Sequence, residues 1–307
     1  MASRPGSQNL YTVVSGRAGE RVMAVLFAGT FDDSGDQDDP QHNCASLGGY
    51  IGPADAWERF ETGWKSVLDR FGVPYLHMRE FKNPTGHYAH LLNDRERMAL
   101  FFGALANVIG DSGLFSFGSV VRILDLKRFN AEFILDIDCY SLTLYDCLGN
   151  ISLQFPGTGM ELRLDRVSKA QNKIAVTHQY LASSPSHPEC FQNVKTFISV
   201  APCPEGLTFR TVQAIQAADF AAWEMRKSVI EKDEFYAKVK PGRPEENWFM
   251  DYLIWEATTK GRVSIPPGND RKSFNALKQG APIVGGVFDY HALCREHEAR
   301  KGIWSVS

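Results

Sequence analysis

The sequence predicts an α/β protein in which helices flank a mixed β-sheet. Short apolar segments with the two-residue period of strands alternate with amphipathic helices along the chain. Acidic residues stand at the ends of two of these strands, and another acid lies in a late, alanine-rich helix. With 44% hydrophobic and 22% charged residues, the composition is that of a globular protein, and 307 residues can bury a core without disulfides.

The first strand is predicted over residues 22–31 and leads directly into Asp32 and Asp33. Ser34 and Gly35 follow and favour a turn. A buried strand that ends on adjacent carboxylates is suited to hold a hard cation, because such ions prefer oxygen ligands. The same residues are equally typical of a solvated acidic turn, so this segment alone leaves both interpretations open.

The second strand, over 45–51, contains Gly48 and Gly49, and glycine inside a strand indicates a close approach of another backbone. An amphipathic helix follows, whose apolar face predicts core packing by Trp57, Phe60, Trp64, Val67, Leu68 and Phe71. The further predicted elements are a helix from Asn93-Asp94, a strand over 114–123, a helix over 130–153, a strand over 160–165, a helix over 169–182, strands over 194–200 and 207–210, a helix from Thr211, and helices over 247–258 and 289–301.

Between two of these helices, His77 and Glu80 lie three residues apart in an apolar context. The spacing fits an internal structural pair. It also fits a contribution to a site, in which His77 would move a proton or position a phosphate.

Two more acids stand in contexts like that of Asp32. The strand over 160–165 alternates apolar and polar residues and ends on Asp165. In the late helix, Gln216 and Asp219 are three residues apart and therefore point the same way. A carboxylate among alanine and phenylalanine on a tight helix face is costly to bury unless something pairs with it. The alternative is an aspartate on the helix surface.

Without the additional helices, the predicted order is three strands, a helix, a strand, a helix, a strand and a last helix. This is the order of a ribonuclease H-like fold, in which acids in these places converge on one or two Mg²⁺ ions, and two such ions about 4 Å apart need several rigid carboxylates. The predicted organisation is a flexible arm over 1–20, a ribonuclease H-like domain with a helical insert over 21–235, and a C-terminal helical extension over 236–307 packed on the same domain.

Several segments resemble one protein family. They are Phe31-Asp32-Asp33-Ser34-Gly35, Leu47-Gly48-Gly49-Tyr50-Ile51, His77 with Glu80, and Ile215-Gln216-Ala217-Ala218-Asp219-Phe220-Ala221-Ala222. Together they are similar to the family called domain of unknown function 3800, over about 22–230. The family usually opens with Asp-Glu-Ser-Gly, and this chain has Asp33 where the family has glutamate. The resemblance implies a ribonuclease H-like fold and a metal site, and it leaves the substrate open.

The sequence thus predicts a nuclease or phosphodiesterase that depends on Mg²⁺ or Mn²⁺. Asp32, Asp165 and Asp219 are the expected metal ligands, with Asp33 or Glu80 in a fourth position and His77 assisting. Arg163, Arg166 and Lys169 flank Asp165 and would suit a phosphate backbone, or would form a solvated face. The alternatives are a non-catalytic binding or regulatory module on the same fold, and a hydrolase of nucleotides or small phosphoesters.

Charge and cysteine usage narrow the expected partners and location. The net charge is −3 and the isoelectric point is near 6.3, so the overall charge does not indicate a nucleic-acid-binding protein. A nucleic acid or nucleotide remains the expected substrate. The six cysteines include no Cys-x-x-Cys pair, which favours a reducing cytoplasm. We expect neither a signal peptide nor a membrane span.

Overall fold

The computed structural model describes most of the chain up to residue 239 and one segment near the C-terminus. The described residues are 27–82, 86–92, 94–156, 158–165, 174, 177, 198–204, 206–239 and 285–299. They form an α/β protein with one six-stranded mixed sheet packed against helices, which confirms the predicted class.

The sheet has the strand order β5-β4-β1-β2-β3-β6. The first three strands are antiparallel neighbours, whereas β4 runs parallel to β1, β5 parallel to β4, and β6 parallel to β3. Their bounds are β1 (Phe27–Ser34), β2 (Cys44–Gly52), β3 (Phe115–Arg122), β4 (Met160–Leu164), β5 (Ile198–Pro202) and β6 (Val287–Phe288).

The described helices lie between these strands and after the last of them. Their bounds are α1 (Ala54–Phe71), α2 (Met78–Lys82), α3 (Ala89–Leu92), α4 (Arg95–Ser112), α5 (Ile123–Phe133), α6 (Cys139–Gln154), α7 (Gln213–Val239) and α8 (Tyr290–Ala299), with a 3₁₀ turn at Gly86–Tyr88. As predicted, α4 begins after Asp94, whose side chain accepts a hydrogen bond from Arg97 N at 2.8 Å.

The two faces of the sheet bury different helices. α7 crosses β1, β2 and β3 on one face, which we call the α7 face, and α1 and α4 join it in a core rich in aromatic side chains. α6 covers the opposite face, the α6 face, where it packs on Phe31, Leu47 and Leu162. Because side chains alternate along a strand, Tyr50 lies in the first core and Ile51 in the second.

Two differences from the predicted elements lie near the acidic residues. β1 continues to Ser34, because Asp32 and Asp33 keep pairing with β2, so both acids lie in the strand itself. The strand predicted over 207–210 is a turn, in which Thr211 Oγ1 donates to Thr208 O at 3.2 Å. Thr211 therefore bonds backwards to the turn, and α7 begins two residues after it, at Gln213.

The single helix predicted over 130–153 is in fact two helices, α5 and α6. Ile134 has a φ of 54°, a left-handed conformation that ends α5. The side chain of Asn130 then holds the connecting segment, since its Nδ2 donates to Ile137 O at 2.8 Å. Asp138 caps α6 by accepting from Ser141 N at 3.0 Å.

Some predicted segments fall outside the described residues. These are the arm over 1–20, the helix over 247–258, and all of the helix over 169–182 except residues 174 and 177. In the C-terminal region, the described residues 285–299 add β6 to the edge of the sheet and place α8 against α5. The helix predicted over 289–301 is confirmed as α8.

Candidate metal centre

The parallel pairing of β1 with β4 brings the first two acids together. Phe31 lies opposite Leu164 in this pair, and Asp165 N donates to Phe31 O at 2.8 Å. Asp32 and Asp165 are therefore the next residues along two adjacent parallel strands. This position, at the carboxyl ends of parallel strands, is where open α/β sheets commonly bind ligands.

A close approach of α7 to the sheet adds the third acid. A Cβ atom at Gly48 would lie 2.8 Å from Ala222 N, so a larger residue at this position would push the helix away. The helix also turns a run of fully buried alanines to the sheet, and Ser46 Oγ donates to Ala222 O at 2.7 Å. Asp219, three residues before Ala222, is thereby held against β1.

The charges of the neighbouring acids affect the pKa of Asp32. Burial of its carboxyl group raises that pKa well above the usual value, and the charges of Asp219, Asp165 and Asp33 raise it further. The N–H of Asp33 donates to Asp32 Oδ1 at 2.8 Å and opposes the shift. Asp32, Asp165 and Asp219 form what we call the acid cluster.

The pKa of Asp219 is raised to about 6, chiefly because the side chain is only 8% exposed. The N–H of Met78, which donates to Asp219 Oδ2 at 2.6 Å, and the charge of His77 lower this pKa, while Asp165 raises it. His77 therefore lies at the border of the acid cluster.

Asp33, an expected ligand, points away from the acid cluster. It follows Phe31 by two residues and so shares the α6 face with it. On that face Asp33 is the carboxylate that most raises the pKa of Tyr140, after burial of that phenol. The backbone of Asp33 contributes to the cluster through its hydrogen bond to Asp32.

Glu80, the other candidate for a fourth ligand, belongs to a neighbouring polar group. Tyr75 Oη donates to Glu80 Oε2 at 2.9 Å. His77 Nδ1 lies 3.5 Å from Glu80 Oε1, while His87 Nε2 and one Arg210 guanidinium nitrogen each lie 3.8 Å from a Glu80 oxygen. Glu80 is not among the carboxylates found to shift the pKa values of Asp32 and Asp219.

Gln216 has a positioning role that its spacing from Asp219 did not reveal. Its Oε1 accepts hydrogen bonds from Trp64 Nε1 at 2.9 Å and from Leu76 N at 3.0 Å. Its Nε2 donates to Phe209 O at 2.6 Å. The buried amide thus ties α1, the segment before α2 and the turn before α7 to a single helix position, one turn from Asp219.

The expected basic flank of Asp165 is described only in part. Arg163 lies on the same face of β4 as Glu161 and pairs with it, so its charge is already balanced within the strand. Arg166 and Lys169 lie outside the described residues.

Other residues at the site were missed by sequence reasoning. Cys203 directly follows β5, and burial with the nearby charge of Asp165 raises the pKa of its thiol to about 12. Tyr140 of α6 lies near enough to Asp33, Asp32 and Asp165 for their charges to raise the pKa of its phenol. Phe209 stacks on the ring of His77 at 3.9 Å between centroids, and no local pattern marks this contact.

The acids are neighbours without converging on one point. Across the described ranges, no group of three or more His, Cys, Asp or Glu side chains is arranged closely enough to hold a metal ion. The donors themselves suit Mg²⁺ or Mn²⁺, because carboxylate oxygens are the ligands these ions prefer.

The comparisons with known proteins add no assignment: no protein-family model matches the chain, and no curated protein matches it significantly. Within the described part of the chain, no helix is long and apolar enough to cross a membrane.

Proposed function

We propose that the protein is a Mg²⁺- or Mn²⁺-dependent nuclease or phosphodiesterase with a ribonuclease H-like fold. The observation that carries this proposal is the meeting of Asp32, Asp165 and Asp219, from three separate elements, at the carboxyl ends of β1 and β4. Like charges held together in a partly dry site cost free energy. Such a cost is typical of functional sites, where a bound cation removes it.

The connection of the sheet supports the finer fold assignment. The strands β1, β2 and β3 are antiparallel and follow one another in the chain, and β4 and β5 lie on the other side of β1. This arrangement agrees with the strand and helix order that led to a ribonuclease H-like prediction. The acids occupy the places expected of such a fold: the first strand, the end of the fourth strand and the last helix of the core. The resemblance to domain of unknown function 3800 points the same way.

Different residues of the site have different expected roles in the reaction. Asp32, Asp165 and Asp219 would hold the ion, and Met78 N keeps the carboxylate of Asp219 in place through one oxygen. A bound divalent ion supplies polarisation of a phosphate group and lowers the pKa of water. His77, beside Asp219, would take a proton from a reacting group or give one to it.

Calorimetric titration with Mn²⁺ tests the proposal directly. We expect micromolar binding to the wild type and at least about tenfold weaker binding to Asp219→Asn, because the amide keeps the shape and removes the charge. The matched control is Asp111→Asn. Asp111 is exposed near the end of α4, beside Leu114 at the far end of the sheet from the acid cluster, and this variant should bind Mn²⁺ like the wild type.

Two outcomes would contradict the proposal. Equal binding by Asp219→Asn and the wild type would show that the ion lies elsewhere. Absence of binding by all three folded proteins, both alone and with an oligonucleotide present, would favour a non-catalytic module on the same fold.

A further inference from the structure

Beside the acid cluster lies a group of partly exposed rings, of which the proposed chemistry uses only His77. Tyr75 and His87 meet at 4.6 Å between centroids, Tyr75 and Phe209 at 5.5 Å, and Phe209 stacks on His77 at 3.9 Å with an angle of 9° between the rings. The guanidinium of Arg210 lies 5.6 Å from the centre of the Tyr75 ring. We call these five residues the aromatic platform.

The aromatic platform is built from two chain segments that a single side chain joins. Gln216 accepts from Leu76 N, between Tyr75 and His77, and donates to Phe209 O in the turn before α7. Asp219 lies one turn further along α7 and accepts from Met78 N, two residues after Leu76. The aromatic platform and the acid cluster are therefore positioned by the same helix and the same loop.

The exposure of these rings separates them from the aromatic core. Trp57 and Trp64, which also lie among aromatic residues, are 1% and 0% exposed and pack against α4 and α7. Tyr75, His77, His87 and Phe209 each keep part of their surface open to solvent, and the side chain of Arg210 is 63% exposed. Contiguous aromatic side chains that stay partly open to solvent are typical of binding sites.

We propose that the aromatic platform binds an unpaired base of a single-stranded nucleic acid whose phosphate reaches the acid cluster. Bases of any sequence stack on aromatic rings and on arginine planes, and a base inside a duplex does not expose its face for this. Arg210, whose side chain is 63% exposed, adds a positive charge that favours a strand of phosphates, although Glu80 lies 3.8 Å from its guanidinium and balances part of that charge. This inference rests on the proposed function and narrows its substrate class from phosphodiesters in general to single strands.

Fluorescence anisotropy with a short labelled oligo-dT, in Ca²⁺ or EDTA to suppress cleavage, tests the proposal. The probes for comparison are oligo-U, the same length of abasic strand, and the matched duplex. We expect the wild type to bind the single strands at least about fivefold more tightly than the abasic strand, and Phe209→Leu to lose about 5- to 100-fold in affinity for oligo-dT. The matched control is Phe115→Leu, because Phe115 is another partly exposed phenylalanine that packs in a ring cluster at the opposite end of the sheet.

A second variant covers the case in which Phe209→Leu fails to fold. Arg210→Ala removes only an exposed side chain, and we expect weaker binding of oligo-dT with a shallower salt dependence. Equal affinity for oligo-dT and the abasic strand, or unchanged binding by folded Phe209→Leu, would overturn the stacking proposal. Tighter binding of the duplex than of the single strand would also overturn it.

The experiments separate a failure of base stacking from a failure of the proposed metal-dependent function. If stacking fails but Asp219→Asn still loses Mn²⁺ binding, then the metal site stands and the substrate is a different phosphoester. If stacking is found but Mn²⁺ binds neither protein, then the chain binds single strands without the proposed chemistry.

Discussion

Asp32→Asn is expected to lower the rate of metal-dependent phosphodiester hydrolysis by at least about 1,000-fold, which corresponds to about 4 kcal/mol of transition-state stabilisation. The charge of Asp32 interacts with those of both Asp165 and Asp219, so its loss removes one of the three carboxylates expected to hold the ion. The rate is measured with a labelled single-stranded oligonucleotide and with bis(p-nitrophenyl) phosphate, each in Mn²⁺ and in EDTA.

Two comparisons make the measurement specific. Asp111→Asn, at the far end of the sheet, should hydrolyse both substrates like the wild type. Asp33→Asn makes the same chemical change one residue further on, where the side chain faces Tyr140, and a smaller loss than for Asp32→Asn is expected. A folded Asp32→Asn protein with wild-type rates would show that any hydrolysis arises elsewhere on the chain.

The second large effect concerns stability and its dependence on pH. The pKa of Asp219 is about 6 in the folded protein, against 3.8 for an ordinary aspartate. As the pH rises from 4 to 6, the unfolded chain therefore loses this proton before the folded chain does. The folded state consequently loses about 3 kcal/mol over this interval, and the whole cost is present above pH 6.

Asp219→Asn removes this cost without changing the shape of the side chain. In EDTA at pH 8, we expect the variant to be up to about 3 kcal/mol more stable than the wild type, and at pH 4 to be about equally stable. Urea unfolding at both values measures the difference. The same comparison with Asp111→Asn should show no such change with pH. Equal stability of Asp219→Asn and wild type at pH 8 would show that the folded site tolerates the charge.

Much of the fold could be predicted from local patterns. The period of α1, the capping residue of α4 and the alternation in β4 each depend on neighbours a few residues away, and the structure confirms all three. The division between α5 and α6 could also have been found, because Asp138 is a good capping residue. The local pattern alone did not show that Ile134 would adopt a left-handed conformation.

The three acids were predicted from their local contexts. Asp32 and Asp165 each follow an apolar strand pattern, Asp219 lies among alanines within a helix, and the expectation that they lie close together followed from the order of the elements. The period of a strand alone did not tell whether Asp32 or Asp33 would turn to the α7 face, because the strand was predicted to end before them. The contacts of Gln216 with Trp64 and Phe209, and those of Glu80 with its imidazole neighbours, depend on tertiary packing that no local pattern contains.

The long separation of the three acids in the chain has a kinetic consequence. Asp32 and Asp165 become neighbours only when β4 has docked beside β1, and Asp219 joins them only when α7 has crossed the sheet. Contacts between such distant segments form late, because the intervening chain must first be ordered. A Mn²⁺ ion that binds only the finished cluster should therefore slow unfolding and leave the refolding rate unchanged, which stopped-flow measurements with and without Mn²⁺ can test. The ion would then stabilise the native state against unfolding and would not help to start folding.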